Sequence, residues 1–357
     1  MIRLEPRTTP SRALALLAPF AAVVCALALA AIPLLAAGQN LFEAYGLMVK
    51  GAFGSAFAFS ETLTRATPLI LTGLAAAVAF RAKLWNIGGE GQFYLGALAA
   101  VIVGTGAVSG PAWVLVPLVL LAGASAGAIG LIGPAYLKTR FKTDEVVTTL
   151  LLNFIILLFV QMALQGWLKD PMSLGWPQSE PIVDEATLPA LFEKYRVHAG
   201  LLVSLAAATA ITIVMRHTVL GFELRAVGEN PDAARHAGIS VNGTMLKAAA
   251  ISGALAGLAG TSEVIGLKGY LTSDISPGFG YAGIVVAMLA RLSPVGVVIS
   301  SIFIAGVFVG ADSMSRAIGV SSYLADLVVA LALLSVLVAG FSIRYRIRWL
   351  GLRGGEA

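Results

Sequence analysis

The sequence predicts an all-α fold: a polytopic integral membrane bundle of about ten transmembrane helices. Three observations predict it. Apolar residues make up 58% of the 357 residues and charged ones only 12%, about half the share a soluble domain carries. The mean hydropathy is +0.88. The apolar residues gather into runs long enough to cross a hydrocarbon layer, with the basic residues in short loops between them. Such a chain cannot cover a globular surface with polar groups, so its solvent is lipid.

The first run, 13–37, follows a tail of residues 1–12 that holds Arg3, Arg7 and Arg12. Leu35-Ala36-Ala37-Gly38 resembles a cleavage site, but the run exceeds a signal-peptide core and matches a bilayer. It reads as an uncleaved first helix. Further spans are expected at 62–80, 92–108, 113–137, 146–168, 200–216, 246–266, 278–290, 294–311 and 321–341. The stretch 278–290 is short and glycine-rich, and reads either as a full crossing or as a broken, re-entrant element. Residues 13–341 thus form one transmembrane domain, followed by a basic tail at 342–357.

Charge orients the bundle. With both termini in the cytoplasm, the short loops holding Arg81, Lys138, Arg216 and Arg291 also fall inside, and 17 of the 24 basic residues lie there. The longest outer loop, 169–199, is slightly acidic, with Asp170, Glu180, Asp184, Glu185 and Glu193. The net charge of +5 therefore marks topology and not a nucleic-acid face. Cys25 is the one cysteine, so no internal disulfide forms, and no Cys/His cluster suggests a metal site.

Gly123 and Gly127, Gly253 and Gly257, and Gly306 and Gly310 are each four apart, the spacing at which helix backbones approach closely. Gly73 to Arg81 and Gly283 to Arg291 share a spacing and a direction across the membrane, an echo too short to define a repeat.

The polar cytoplasmic loop 217–245 carries the most informative string, Arg225-Ala-Val-Gly228-Glu-Asn-Pro231-Asp232-Ala233-Ala234-Arg235-His-Ala-Gly238-Ile239. Pro231 suits a first helical turn, Asp232 complements the helix dipole and Gly238 suits the stop. Asp232-Ala233-Ala234-x-x-x-Gly238 resembles the Glu-Ala-Ala-x-x-x-Gly coupling loop of ATP-binding-cassette importer permeases, with Asp for the first acid.

Three further strings resemble the branch that serves ribose, branched-chain amino acids and nucleosides. They are Phe80-Arg-Ala-Lys-Leu-Trp-Asn86-Ile-Gly88-Gly-Glu90-Gly91-Gln92-Phe, Thr143-Asp-Glu145-Val-Val-Thr-Thr-Leu-Leu-Leu-Asn153 and the late glycine-rich stretch from Ser276 to Pro294. The first is most similar to the nucleoside subgroup; the Gly-Gly-Ile-Asp-Leu-Ser-type string of the ribose branch is missing. The resemblance covers about residues 60 to 340.

It implies a permease subunit of the bacterial inner membrane, coupled through Arg225, Asp232, Ala233, Ala234, Arg235 and Gly238 to a separate ATPase. That ATPase would bind ATP and Mg, with no cofactor on this chain. A second permease chain, related or identical, and an extracytoplasmic substrate-binding protein complete the implied assembly. The sequence has no Gly-x-x-x-x-Gly-Lys-[Ser/Thr] loop, so hydrolysis falls to another polypeptide.

Polar groups at membrane depth are the candidate pathway residues, because their burial needs a reason. Asn86, Glu90 and Gln92 surround a Gly-Gly pair; they either line a break in a helix or cap a turn at the cytoplasmic edge. Asn153 reads as interhelical glue or as a ligand to a substrate hydroxyl. Phe279 and Tyr281 either stack on a planar base or fill space. Asp326, about one turn into its span, and Asp312 and Glu263, near outer helix ends, read either as pathway groups or as side chains that reach outer-leaflet water. A sugar or branched-chain amino acid is the alternative cargo. An ion-coupled carrier would need more deep charges, and an intramembrane enzyme would need a constellation of catalytic side chains that is absent from the sequence.

Overall fold

A computed structural model describes residues 2–6, 12–106 and 108–349. Its helices are α1 (Arg12–Ala36), α2 (Leu41–Phe53), α3 (Ala56–Arg81), α4 (Gly89–Gly104), α5 (Ala112–Phe141), α6 (Glu145–Gln165) and α7 (Gly200–His217). The chain continues through α8 (Val219–Glu229), α9 (Pro231–His236), α10 (Val241–Glu263), α11 (Phe279–Leu289), α12 (Pro294–Ile318) and α13 (Ser322–Arg344). A π-helical turn, Val264–Lys268, prolongs α10.

All ten expected spans are helical, but they are not alike. Six helices (α3, α5, α6, α7, α10 with its π turn, and α12) are long and apolar enough to cross a membrane; α1 and α2 form a sharply bent pair. Helices α4 and α11, with 16 and 11 residues, reach about 24 and 17 Å, short of a hydrocarbon core of about 30 Å. The stretch 278–290 is therefore a half-length helix and not a full crossing.

The tails also differ from expectation. Ile2–Pro6 (β1) pairs antiparallel with Tyr345–Trp349 (β2), Glu5 opposite Arg346. Both segments alternate apolar and polar residues, the period of a strand.

The residues gather into two compact units, 52–309 and the paired terminal segments 1–51 and 310–357. In the terminal unit Ala30, Leu34, Ala44, Met314 and Val328 form a buried cluster. In the larger unit α3 is the central post: every residue from Ala66 to Phe80 is buried. Around it α5 and α6 turn large side chains outward, with Ile129 71% and Leu158 65% exposed, as a lipid-facing surface requires.

Glycines set the inner packing. A side chain on Gly127 would strike Gly253 O, one on Gly257 would strike Gly123 O, and one on Gly96 would strike Gly257 O. The two glycine pairs read from the sequence thus face each other across α5 and α10, with α4 against the same seam. The sequence echo has a location too, since Gly283 of α11 packs on Thr72 of α3 and Gly73 packs on Val286.

Candidate functional site

The short helices meet inside the large unit. After α3 the chain turns back through 82–88, and α4 starts beside α11, first turn against first turn. A Cβ on Gly280 would overlap the backbone of Glu90, so this approach requires glycine there.

Side chains satisfy the backbone groups that the helix break frees. Gly91 N donates to Asn153 Oδ1 (2.7 Å), Gly88 N to Asn86 Oδ1 (2.9 Å) and Ile87 N to Thr149 Oγ1 (3.3 Å). Asn153 Nδ2 donates to Ile87 O (2.9 Å) and to the Tyr281 hydroxyl (3.3 Å). Asn86 and Gln92 face each other as a reciprocal amide pair, 2.9 Å in both directions, and Ser252 Oγ accepts a further bond from Asn86 Nδ2 at 3.3 Å. Glu90 caps α11: its carboxylate accepts from Gly280 N (2.7 Å), from Tyr281 N and from the Ser276 hydroxyl. An anion at a helix N-terminus is stabilised by the dipole and by unpaired N–H groups.

The structure thus brings all six candidate pathway residues to one junction. Phe279 is buried against Phe93 and Phe308, with ring centroids 6.0 and 6.2 Å apart, and offers no free face. Asn86, Glu90, Gln92 and Asn153 are at most 4% exposed and bonded to protein. Tyr281, 39% exposed, is the one of the six that presents surface.

A cavity of about 580 Å³ opens beside this junction, with Ile275 and Pro277, just before α11, on its wall. Glu61, Thr64 and Arg65 of α3, Glu263 of α10, the π turn, and residues 188–198 and 270–277 enclose it. Arg196 reaches Glu61 at 4.0 Å. His198 is 2% exposed; its Nδ1 accepts from Gly200 N (3.1 Å), so Nε2 carries the proton and has no hydrogen-bond partner. Glu61 Oε1 is likewise buried and unpaired. Burial lowers the His198 pKa from 6.5 to about 4, which keeps the ring neutral. Sequence reading passed over Glu61 and Arg65, although two charges four apart in an apolar run were a signal. His198 gave none, because loop 169–199 does not reveal its burial.

Facing the opposite end of α3, α8 and α9 form a compact turn. Gly228 packs on Arg81 O, 16 residues and about 24 Å along α3 from Arg65. Asn230 caps α9 by accepting from Asp232 N (3.0 Å) and Ala233 N (3.1 Å), Pro231 occupies its first turn, and Gly238 takes φ +83° after it. Asp232, Ala233, Arg235 and Gly238 are exposed, and Asp232 pairs with Arg235 at 3.0 Å. Ala234 is buried with Val227 and Val241, and Arg225 donates to Met215 O. These two brace the turn from within.

Two short helices meeting inside a lipid-facing bundle, between a cavity and a structured polar turn, fit a multi-pass membrane protein of the kind that carries solutes. The chain belongs to the family described as branched-chain amino acid transport system / permease component, whose model matches residues 58–337. It is 40% identical to the glucose ABC transporter permease protein TsgB13 of Haloferax volcanii, over 97% of this chain and 93% of that one. It is 37% identical to the guanosine ABC transporter permease protein NupP of Bacillus subtilis (92% and 95% of the two chains). The nucleoside ABC transporter permease protein NupB of Lactococcus lactis is 32% identical, over 84% and 85%. The chain is accordingly the membrane-spanning subunit of an ABC importer and not an enzyme; ATP hydrolysis lies with a separate subunit.

Proposed function

We propose that this chain forms the translocation pathway for a nucleoside in a bacterial inner membrane, with both termini cytoplasmic. The observation that carries the reading is the relation to the guanosine permease, which extends over 92% of this chain. A simple sugar is the second reading, favoured by the 40% identity to the glucose permease.

In this account the exposed face of α9, with Asp232, Ala233 and Arg235, seats in the ATPase. The chain pairs with a second permease, and an extracytoplasmic binding protein delivers solute to the end that holds the cavity. Closure of the ATPase pair displaces the α8–α9 turn. Because that turn rests on the end of α3, the motion reaches α11, which packs along the same helix. The Glu90–Gly280 contact between α4 and α11 is the element with two arrangements, closed here and parted in the alternate state.

Purification of the tagged chain from its native membrane, followed by mass spectrometry of its companions, tests the assembly. The expected companions are an ATPase with a phosphate-binding loop and a second, related permease. Recovery of the chain alone, competent for uptake without ATP, would overturn the proposal.

A further inference from the structure

The turn between α5 and α6 lies where two lipid-facing helices reach the edge of the hydrocarbon. Tyr136 and Phe141 of α5, and Val147 and Leu151 of α6, are exposed up to that edge. Between the two helix ends opens a pocket of about 450 Å³, lined by Trp85, Lys138 and residues 142–146. It sits at the end of α3 that carries the α8–α9 turn, since Lys138 Nζ donates to Lys83 O (3.0 Å), two residues beyond Arg81.

Protein bonds fix its walls. The buried Glu145 carboxylate accepts from Lys138 Nζ and from Trp85 N (3.3 Å), which ties the 82–88 segment to the turn. Asp144 caps α6, accepting from Val146 N (2.8 Å) and Val147 N (3.4 Å). Within the lining, Glu145 thus balances Lys138 and Asp144 faces backbone amides, while Lys142 is left without a counter-ion. Lys83 and Arg140, neighbours of lining residues, are exposed as well, and like Lys142 they form no ion pair among the described residues.

This combination selects a ligand. Unpaired cations at the rim of the hydrocarbon favour an anion, and exposed apolar side chains on either side favour one that carries acyl chains. A soluble anion would leave those side chains uncovered. A zwitterionic headgroup brings its own cation, which Lys142 repels. The exposed Trp85 ring suits the layer between the two, with an apolar body and a polar N–H.

We infer that this pocket holds the headgroup of an anionic phospholipid, with Lys142 against its phosphate, Trp85 beside the glycerol and the acyl chains along α5 and α6. Lipid seated there bears on Trp85, next to Asn86, whose amide pairs with Gln92 at the α4–α11 junction. It therefore braces the segment that joins α3 to α4.

The test uses the complete transporter, stripped of lipid in detergent. Phosphatidylglycerol or phosphatidylcholine is added at equal concentration, bound lipid is counted by native mass spectrometry, and the thermal midpoint is read beside it. Phosphatidylglycerol is expected to bind about fivefold more tightly and to raise the midpoint more. Lys142→Gln removes an exposed charge, so it should fold as the wild type does and lose that preference, about fivefold for one cation. Lys194→Gln, an exposed cation of the outer loop, should keep it.

Equal binding of the two lipids, or a preference that survives Lys142→Gln, would overturn the site. An equal loss in Lys194→Gln would reduce it to general surface charge and overturn it too. Inorganic phosphate raising the midpoint as far as phosphatidylglycerol does would replace the lipid by a soluble anion. No solute enters the measurement, so each of these outcomes leaves the import proposal standing.

Discussion

Glu90 holds its carboxylate 4% exposed against the first turn of α11 and receives Gly280 N at 2.7 Å. Substitution by Gln keeps the shape but turns an amide group toward backbone donors, and loses the charge that favours a helix N-terminus. Glu90→Gln is expected to destabilise the protein by about 2 kcal/mol, read as a lower thermal midpoint in detergent. His198 adds a pH dependence outside the spans. Its folded pKa, about 4, lies below the ordinary 6.5, so between these values the unfolded chain binds the proton and the folded chain does not. Its contribution is complete above pH 6.5 and is lost as pH falls toward 4, about 3 kcal/mol in all. The thermal midpoint of the wild type should therefore fall more steeply over that interval than that of His198→Gln. Asn86, Glu90 and Asn153 were legible as important because amides and acids are rare at membrane depth. That protein groups meet their polar atoms in this arrangement follows from the convergence of α4, α6 and α11, which no local pattern announces.

Among the elements, α9 was the most legible. Pro231 and Gly238 mark the two ends of this six-residue helix, and the structure has the first-turn proline and the positive φ at those positions. Its faces were not legible, because a six-residue helix is too short to show which side its neighbours cover. Ala233 is exposed and Ala234 is not, so the two adjacent alanines separate the proposed docking surface from the fold. Ala233→Arg should reduce ATPase binding by about 2 kcal/mol and leave the thermal midpoint unchanged, as a pull-down beside a melting curve would report. Ala234→Glu places a carboxylate among Val227 and Val241 and should lower the amount of folded protein instead. The α5–α10 seam is similarly specific. Gly127→Leu drives a side chain into Gly253 O and should cost about 3 kcal/mol or more, seen as lost membrane abundance. Helix α2 was missed because Glu43 and Lys50 interrupt its apolar residues, and the start of α3 was set late because of Glu61 and Arg65. Hydropathy finds helices that face lipid and understates those that carry charge.

At the scale of the molecule, composition alone was enough for an all-α membrane bundle, since a chain with 12% charged residues cannot dress a soluble surface. The shortness of α4 and α11 was visible for α11 alone, in the short, glycine-rich stretch 278–290. The cavity was not, because it is assembled from α3, α10 and two loops distant in sequence. Together these features follow one another along α3: a cavity, a junction of helix ends and an exposed polar turn, which is the surface proposed above to meet the ATPase. The most direct measurement is uptake of labelled guanosine by proteoliposomes holding this chain, its companion subunits and the binding protein, with and without ATP inside. The account predicts accumulation that requires ATP and is lost in Ala233→Arg. Equal uptake without ATP, or full uptake in that variant, would contradict it.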